Sequence, residues 1–198
     1  MAKGLYDMNE GDVYQRIAQW RVVPVIAIEA VEAALPLADA LIAGGLPVAE
    51  ITFRTSAAAD VIRCLTRQRP QLLVGAGTVT HPDQVRAARE CGAAFAVAPG
   101  FTPDVVRAAR PAGLPFSPGV MTPTDIEAAL GAGVRVMKFF PAAAAGGVKM
   151  LSSISAPYGH LGVRFIPTGG IRLEHVQEYL REKSVLAVGG TWLATKDD

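Results

Sequence analysis

Lys138 is the residue whose position in this sequence first suggests chemistry. It lies in the second half of the run VRVMKFFP, residues 134–141, which is otherwise apolar and follows Gly133. Such a run is typical of a strand that is buried on both faces. A buried ammonium group must find an anion, lose its proton or take part in a reaction. The alternative is a lysine at a strand end whose charge reaches water.

A carboxylate and a guanidinium follow one face of the second predicted strand. In PVAEITFRT, Glu50, Thr52 and Arg54 share one parity, which places Glu50 and Arg54 about 13 Å apart on the same side. If that side faces the interior of a barrel, Glu50 and Lys138 lie together. An amine attacks a carbonyl only when neutral, so we expect a water molecule between them, with Arg54 competing for the carboxylate. A purely structural buried ion pair is the alternative.

Thr78 is a candidate for binding a carboxylate. The third predicted strand ends in GAGTV, which places Thr78 at the rim beside Arg54. Arg supplies a fork of N–H donors and Thr adds a hydroxyl group, so the two side chains together could hold a carboxylate. A Thr that follows Gly and only forms a turn is the alternative.

The last two predicted strands end in segments that could bind phosphate. These segments, IPTGGI and AVGGTW, contain Thr168, Gly169, Gly170, Gly190 and Thr191. Two diglycine turns on adjacent final strands would expose backbone N–H groups to an anion, at the place where barrels often bind phosphate. Each diglycine could instead form only a turn.

Composition indicates a soluble, cytoplasmic protein that acts on a small molecule. The 198 residues are 51% hydrophobic and carry a formal net charge of +1, so no nucleic-acid surface is predicted. Cys64 and Cys91 have no paired spacing, which favours a reducing compartment. No apolar run reaches the roughly 20 residues of a membrane span, and the N-terminus has no signal core. His81, His160 and His175 lack ligand spacing, so we expect neither a metal nor a cofactor.

Apolar runs alternate with helical patterns along the whole sequence. A leading helix is predicted at 13–20, and residues 1–12 are expected to be disordered or vector-derived. Eight strands are predicted at 22–28, 47–53, 72–78, 94–98, 114–117, 134–140, 164–167 and 185–188. Seven further helices are predicted at 31–43, 57–68, 82–91, 103–110, 123–130, 148–155 and 174–181. Three of these helices begin with Pro after a turn, and Thr102 and Thr122 are predicted N-caps.

This alternation predicts one domain, residues 1–198, folded as an α/β (β/α)8 TIM barrel with an additional N-terminal helix. A doubly wound open sheet is the main alternative, but the loop after the first strand, Glu29 and Ala30, has no glycine. The repeat of about 20 residues could also indicate a solenoid, which does not need a particular number of strands in order to close. Only residues 189–198 follow the eighth strand, so the eighth outer helix is expected to be missing or truncated. The leading helix or a neighbouring subunit would then cover that face.

Seven segments together resemble one enzyme family. They are GGLPVAEITFRT, VGAGTV, APGF, SPGVMTPTD, MKFFPAAAAGGVKML, RFIPTGGI and VGGTWL. In order and spacing they resemble the signature segments of bacterial 2-keto-3-deoxy-6-phosphogluconate (KDPG) aldolases, including those also called 4-hydroxy-2-oxoglutarate (KHG) aldolases. The resemblance covers about residues 14–195.

The resemblance implies a trimeric, metal-independent class I aldolase of the Entner–Doudoroff pathway, with a (β/α)8 barrel and a phosphorylated 2-keto acid as substrate. Lys138 matches the Schiff-base lysine, and Glu50 matches the carboxylate that transfers protons. Arg54 and Thr78 match the residues that hold the pyruvate carboxylate. The phosphate would lie near the two diglycines and their neighbouring threonines.

Three departures from the family pattern accompany this resemblance. Ala143 stands where the family commonly has Glu, and Thr191 stands where Ser is more usual. We also expect the C-terminal helix that normally follows the last signature segment to be missing. Two alternatives therefore stay open, namely an aldolase for the galactonate epimer of the substrate and a catalytically silent barrel that serves as an oligomeric scaffold.

Overall fold

The computed structural model describes residues 9–193, which form a mixed α/β fold with parallel strands. The α-helices are α1 (Glu10–Trp20), α2 (Ala34–Ala43), α3 (Ala58–Gln68), α4 (Pro82–Glu90), α5 (Pro103–Ala109), α6 (Pro123–Gly131), α7 (Gly147–Ser155) and α8 (Val176–Arg181). The strands are β1 (Val22–Ile26), β2 (Val48–Thr52), β3 (Leu73–Gly77), β4 (Phe95–Val97), β5 (Phe116–Ser117), β6 (Gly119–Val120), β7 (Val136–Phe139), β8 (Arg164–Phe165) and β9 (Val188–Gly190). Short 3-10 helices occupy Val31–Ala33, Ala156–Leu161 and Leu173–His175.

All strand pairs within the two sheets are parallel. One sheet has the order β5-β4-β3-β2-β1-β9, and the other has the order β6-β7-β8. The register places Val25, Glu50, Gly75 and Phe95 side by side across four neighbouring strands. In the second sheet, Lys138 of β7 pairs with Gly119 of β6. Glu50 and Lys138 therefore belong to two different sheets.

The two sheets adjoin each other at both edges. Only Pro118, which has no N–H to donate, separates β5 from β6. Of the strand predicted at 114–117, only Phe116–Ser117 forms a strand, and β6 was not predicted. At the other edge, isolated parallel bridges join Phe165 to Val185 and Thr168 to Gly189.

Two hydrophobic layers hold the elements together. An outer layer packs helices against one face of the strands. Successive side chains of β2 and β3 point to opposite faces of the sheet, and every second one belongs to this layer. An inner cluster packs side chains of the opposite parity against α1. It includes Ile17, Val48, Leu73, Phe95 and Val136, and these side chains fill the space below Glu50 and Lys138.

Helix α1 begins earlier than predicted, so the expectation that residues 1–12 are disordered is wrong for residues 9–12. Asn9 accepts a hydrogen bond from the Asp12 N–H, and the Asp12 carboxylate accepts one from Asn9, which forms a capping box. Residues 1–8 lie outside the described residues. From α1, the buried Tyr14 hydroxyl makes a 2.8 Å hydrogen bond with Ser117 Oγ, and burial raises the pKa of Tyr14 well above its ordinary value.

The predicted threonine caps are only partly correct. Thr122 forms a capping box with Asp125 at the start of α6, whereas the Thr102 side chain makes no capping hydrogen bond at the start of α5. A cap that was not predicted is His81, which caps α4. Burial alone would raise the pKa of Asp125. Hydrogen bonds from the N–H groups of Met121 and Thr122 outweigh that effect, so this pKa lies below its ordinary value.

The last strand differs most from its prediction. The predicted strand 185–188 shares only Val188 with β9, which begins at that residue. Gly189 and Gly190 pair with β1 and do not form the turn that was considered for them. The eighth outer helix was predicted to be missing or truncated after the last strand. Residues 194–198, which follow β9 closely, lie outside the described residues. Within residues 9–193, no helix is long and apolar enough to cross a membrane.

Candidate active site

The candidate site is built around a direct contact between Lys138 and Glu50. Lys138 Nζ lies 3.1 Å from Glu50 Oε1 and 3.5 Å from Oε2. The two side chains are only 7% and 4% exposed. The expectation that the Glu50 and Lys138 side chains lie together in the interior is therefore confirmed. The water molecule expected between them is not needed at this distance, so that expectation is wrong.

Glycines on the neighbouring strand β3 make this contact possible. A Cβ atom at Gly77 would lie 2.2 Å from Glu50 Oε1, far inside the contact distance of any real pair of atoms. Gly75 gives similar room to the Phe95 ring, whose Cζ would lie 2.2 Å from an added Cβ. The missing side chain at Gly77 thus leaves the space that the Glu50 carboxylate occupies beside Lys138.

Arg54 does not compete for the Glu50 carboxylate. Strand β2 ends at Thr52, so Arg54 lies in the following turn and not on the strand face that its parity predicted. Its Nε donates a 3.2 Å hydrogen bond to Thr52 Oγ1, and that hydroxyl donates in turn to the Ile26 carbonyl. The Arg54 side chain is exposed and lies at the rim above the buried pair.

Thr78 follows β3 in a backbone conformation that is rare for its type. Its φ is 58°, in the left-handed region where a β-branched side chain crowds the backbone. Strain of this kind persists only where the surrounding structure holds it, and it is frequent at functional sites. Thr78 and Arg54 line the same cavity, as their predicted positions at neighbouring strand ends require.

A single cavity of about 700 Å³ contains all the residues predicted for the site. Its lining residues fall into a buried floor, a rim at one end and a glycine-rich end. These residues are Val25, Glu50, Thr52, Arg54, Thr78, Pro99, Lys138, Phe140, Thr168, Gly169, Gly170, Ile171, Arg172, Leu173, Glu174, Gly190, Thr191 and Trp192. The predicted residues are therefore brought together around one volume that is large enough for a small metabolite.

The glycine-rich end offers backbone donors. Gly169 and Gly170 have φ values of 100° and 71°, which only glycine adopts readily, and their N–H groups donate no hydrogen bond within residues 9–193. Successive N–H groups in such a conformation form a concave anion site. The Thr168 hydroxyl is already engaged, since it donates to the Ile166 carbonyl at 3.3 Å. Thr191 is exposed at this end.

Among the lining residues that were not predicted to belong to the site, three have side chains that could contact a substrate. The Phe140 ring centroid lies 5.6 Å from Lys138 Nζ, within the range of a cation–π contact. The Trp192 ring lies over Gly190, where an added Cβ would be 1.5 Å from Cζ3. Arg172 lines the cavity two residues after Gly170. Of these, Phe140 could have been found from its position two residues after Lys138.

The geometry permits carbonyl chemistry between two anion-binding ends. A buried amine contacts a carboxylate that can exchange protons with it, with a guanidinium at one end and free N–H groups at the other. In the described part of the chain, no group of three His, Cys, Asp or Glu side chains is arranged to hold a metal ion. A parallel α/β fold with a buried lysine at the carboxyl ends of its strands is the arrangement of an enzyme with a lysine nucleophile.

Comparisons with known proteins agree with this class. The family model described as KDPG and KHG aldolase matches residues 13–198. The chain is 45% identical over 184 residues to the 2-dehydro-3-deoxy-phosphogluconate aldolase of Haemophilus influenzae, which covers 93% of this chain and 86% of that protein. The chain therefore belongs to the KDPG and KHG aldolase family.

Two solved structures are also similar. A KDPG aldolase from Legionella pneumophila, with pyruvate captured at low pH as a covalent carbinolamine intermediate, has a TM-score of 0.90 and 42% identity, covering 96% of this chain and 90% of that one. The KDPG aldolase of Zymomonas mobilis ZM4 with 3-phosphoglycerate has a TM-score of 0.87 and 38% identity, covering 92% of this chain and 87% of that one.

Proposed function

We propose that this protein cleaves KDPG to pyruvate and glyceraldehyde 3-phosphate through a Schiff base on Lys138. The observation that carries the proposal is the buried 3.1 Å contact between Lys138 Nζ and Glu50 Oε1 on the floor of the cavity. Family membership and the carbinolamine of the Legionella relative support the same chemistry. A phosphorylated 2-keto acid, with an anion at each end, fits a cavity whose two ends both offer donors to anions.

The Lys138–Glu50 contact gives the first step a route for the proton. Glu50 accepts a proton from the ammonium group, and the neutral amine attacks the C2 ketone to form a carbinolamine. Glu50 returns the proton to the departing hydroxyl group, so that water leaves and an iminium ion remains. A direct ion pair is therefore a usable resting state, because the base for the amine is already in contact with it.

The iminium ion then serves as the electron sink for cleavage. Glu50 removes the proton from the C4 hydroxyl, the bond between C3 and C4 breaks, and its electron pair passes into the enamine. Glyceraldehyde 3-phosphate leaves, and Glu50 donates the proton to C3 of the enamine. Hydrolysis of the resulting iminium ion releases pyruvate and regenerates the Lys138 amine.

The two ends of the cavity have different roles in this proposal. Arg54 and Thr78 hold the carboxylate next to the ketone, because they lie at the rim above Lys138. The N–H groups of Gly169 and Gly170 and the hydroxyl of Thr191 donate to the phosphate. Gly190 and Thr168 line that end, Gly190 by leaving room for the ligand where a side chain would stand. The 3-phosphoglycerate in the Zymomonas relative supports a phosphate site in this fold.

Trapping with borohydride tests the Schiff base. Incubation with pyruvate and sodium borohydride is expected to add a reduced pyruvate to Lys138, which peptide mass spectrometry locates. Lys138→Ala should give no adduct, whereas Lys149→Ala, which removes an exposed lysine on α7, should react as the wild type does. An unmodified wild-type chain, or equal labelling of Lys138→Ala, would contradict the proposal.

Gly77→Ala tests whether the space beside Glu50 is required. The added methyl group must displace the carboxylate from Lys138, and misplacement of a catalytic group by about 1 Å can lower a rate roughly 100-fold. We expect kcat/KM for KDPG cleavage to fall by about 10- to 100-fold. Gly131→Ala is the control, since its Cβ would have no neighbour within 4 Å. Equal activity of both variants would show that Glu50 needs no such space.

KHG is a second substrate that we propose for the same site, because the matching family model covers both activities. Its cleavage would give pyruvate and glyoxylate through the same Lys138 iminium ion. Rates with KDPG, its galactonate epimer and KHG, measured side by side, distinguish these substrates. A wild-type chain that cleaves none of them would favour the silent scaffold instead.

We further propose that the protein forms one domain with a closed (β/α)8 barrel and assembles as a cytoplasmic homotrimer in the Entner–Doudoroff pathway. Closure is supported by the single residue between β5 and β6 and by the bridges that join the two sheets at the other edge. The free Cys64 and Cys91 thiols support a reducing compartment. Light scattering of the purified protein measures the number of subunits.

A further inference from the structure

An ion pair between Arg172 and Glu174 lies at the glycine-rich end of the cavity. Arg172 Nε donates to Glu174 Oε1 at 2.5 Å, and Arg172 Nη2 contacts the same oxygen. Both residues line the cavity that contains Lys138, Gly170 and Thr191. Their side chains are 74% and 50% exposed. An ion pair this exposed contributes little to stability, so its partners can exchange readily.

The mechanism proposed above gives no role to the Arg172–Glu174 ion pair. Within residues 9–193, five charged side chains line the cavity, namely Glu50, Arg54, Lys138, Arg172 and Glu174. Lys138 is neutralised by Glu50 on the floor, and Arg54 lies at the carboxylate end. Arg172 is therefore the lining cation at the phosphate end of the described cavity, and Glu174 beside it offsets its charge.

A phosphate at this end would meet opposing electrostatic forces. It would be repelled by the Glu174 carboxylate and attracted by the Arg172 guanidinium. Arg can form two parallel hydrogen bonds with a phosphate, and charge-assisted bonds of this type are about twice as strong as neutral ones. Arg172 follows Gly170 by two residues, so a phosphate held by the glycine N–H groups lies close to the Arg172 backbone.

We propose that Arg172 is a specificity-determining residue that binds the substrate phosphate, and that Glu174 competes for its guanidinium when the site is empty. This inference rests on the function proposed above and assigns the discrimination between phosphorylated and unphosphorylated substrates to one side chain. On binding, the guanidinium exchanges the Glu174 carboxylate for the phosphate. Glu174 thereby weakens the binding of phosphorylated substrates and favours their release.

A purely structural role for the pair makes different predictions. Glu174 lies in the first turn of the 3-10 helix Leu173–His175 that leads into α8, and the hydrogen bond from Arg172 lowers the pKa of Glu174. A pair that only supports this turn would affect folding and would not distinguish between substrates. Removal of either partner would then act in the same direction on every substrate.

Aldol addition of pyruvate to two aldehydes separates these roles. For Arg172→Ala we expect the KM for D-glyceraldehyde 3-phosphate to rise by about 5- to 20-fold, in line with loss of one charge-assisted contact, and kcat/KM for D-glyceraldehyde to stay unchanged. Arg172→Lys should recover part of the loss, because it keeps the charge and loses the fork. Arg181→Ala, which removes an exposed arginine of α8 outside the cavity, is the matched control.

Glu174→Gln should shift the same parameter in the opposite direction. Without its competitor, the guanidinium is free for phosphate, so we expect the KM for D-glyceraldehyde 3-phosphate to fall by about 2- to 5-fold. Raising the ionic strength should reduce the effects of both variants, because exposed charges are screened. Glu174→Gln and Arg172→Lys also test the proposal if Arg172→Ala does not fold.

Three results would overturn this inference, and a fourth would overturn the function beneath it. Equal loss with both aldehydes in Arg172→Ala, or no change with either, removes Arg172 from phosphate binding. A rise in KM for the phosphorylated aldehyde in Glu174→Gln removes the competition. A wild-type chain that adds pyruvate to neither aldehyde contradicts the proposed aldolase itself, which is a separate outcome.

Discussion

Lys138→Ala is expected to lower kcat/KM for KDPG cleavage by roughly four orders of magnitude or more, as loss of a covalent nucleophile does in other enzymes. Without the amine no iminium ion forms, and the bond between C3 and C4 has no electron sink. Release of pyruvate, followed by its reduction in a coupled lactate dehydrogenase assay, measures the rate. Activity within tenfold of the wild type would exclude Lys138 as the nucleophile.

Stability must be measured together with this loss. Removal of Lys138 leaves the Glu50 carboxylate buried without its partner, which costs about 3–5 kcal/mol when one half of a buried ion pair is deleted. The double variant Lys138→Met with Glu50→Gln removes both charges and keeps the volume. We expect it to unfold in urea closer to the wild type than Lys138→Ala does while remaining inactive, which separates loss of chemistry from loss of fold.

Glu50→Gln is expected to lower kcat/KM for KDPG by about 10²- to 10⁴-fold, the usual contribution of a positioned acid–base group. The amide keeps the shape of the carboxylate but cannot accept the proton of the C4 hydroxyl. Exchange of the pyruvate methyl protons with deuterium, followed by NMR, reports the same residue without cleavage. It should slow in parallel, because Glu50 also returns the proton to C3.

Glu90→Gln provides the comparison for this variant, since Glu90 is an exposed residue at the end of α4 and lies outside the cavity. Its rates should match those of the wild type. If Glu50→Gln slowed cleavage but left deuterium exchange at the wild-type rate, a different group would reprotonate the enamine. If both rates stayed at the wild-type value, Glu50 would act only as the counterion of Lys138.

The meeting of Lys138 and Glu50 could be predicted from the sequence because side chains alternate strictly along a strand. Parity fixed the face of β2 that carries Glu50, and a barrel whose interior receives that face was expected to bring it beside Lys138. Parity could not fix the direct contact, because that depends on the space that Gly77 leaves on a different strand. For this reason the water molecule was expected wrongly.

The errors at the ends of elements have one physical cause. Arg54 was placed on a strand face, but β2 ends two residues earlier, and Gly189 and Gly190 were taken for a turn although they pair with β1. Apolar runs indicate that a strand exists, whereas its last residue is set by backbone pairing with a neighbour, which no local pattern contains. Trp192 and Arg172 were missed for the same reason, since their place in the cavity follows from how the chain leaves β8 and β9.

Helix α1 limits the routes by which a substrate can reach the buried pair. Tyr14 and Ile17 close the lower end of the strands, and the inner cluster fills the space between this helix and the Lys138–Glu50 pair. Among the described residues, the pair is therefore reached only from the side of the cavity. In the proposed mechanism the aldehyde departs first, because pyruvate stays covalently bound to Lys138 until the iminium ion is hydrolysed. With the floor closed, pyruvate must then leave through the same mouth that the aldehyde has just vacated.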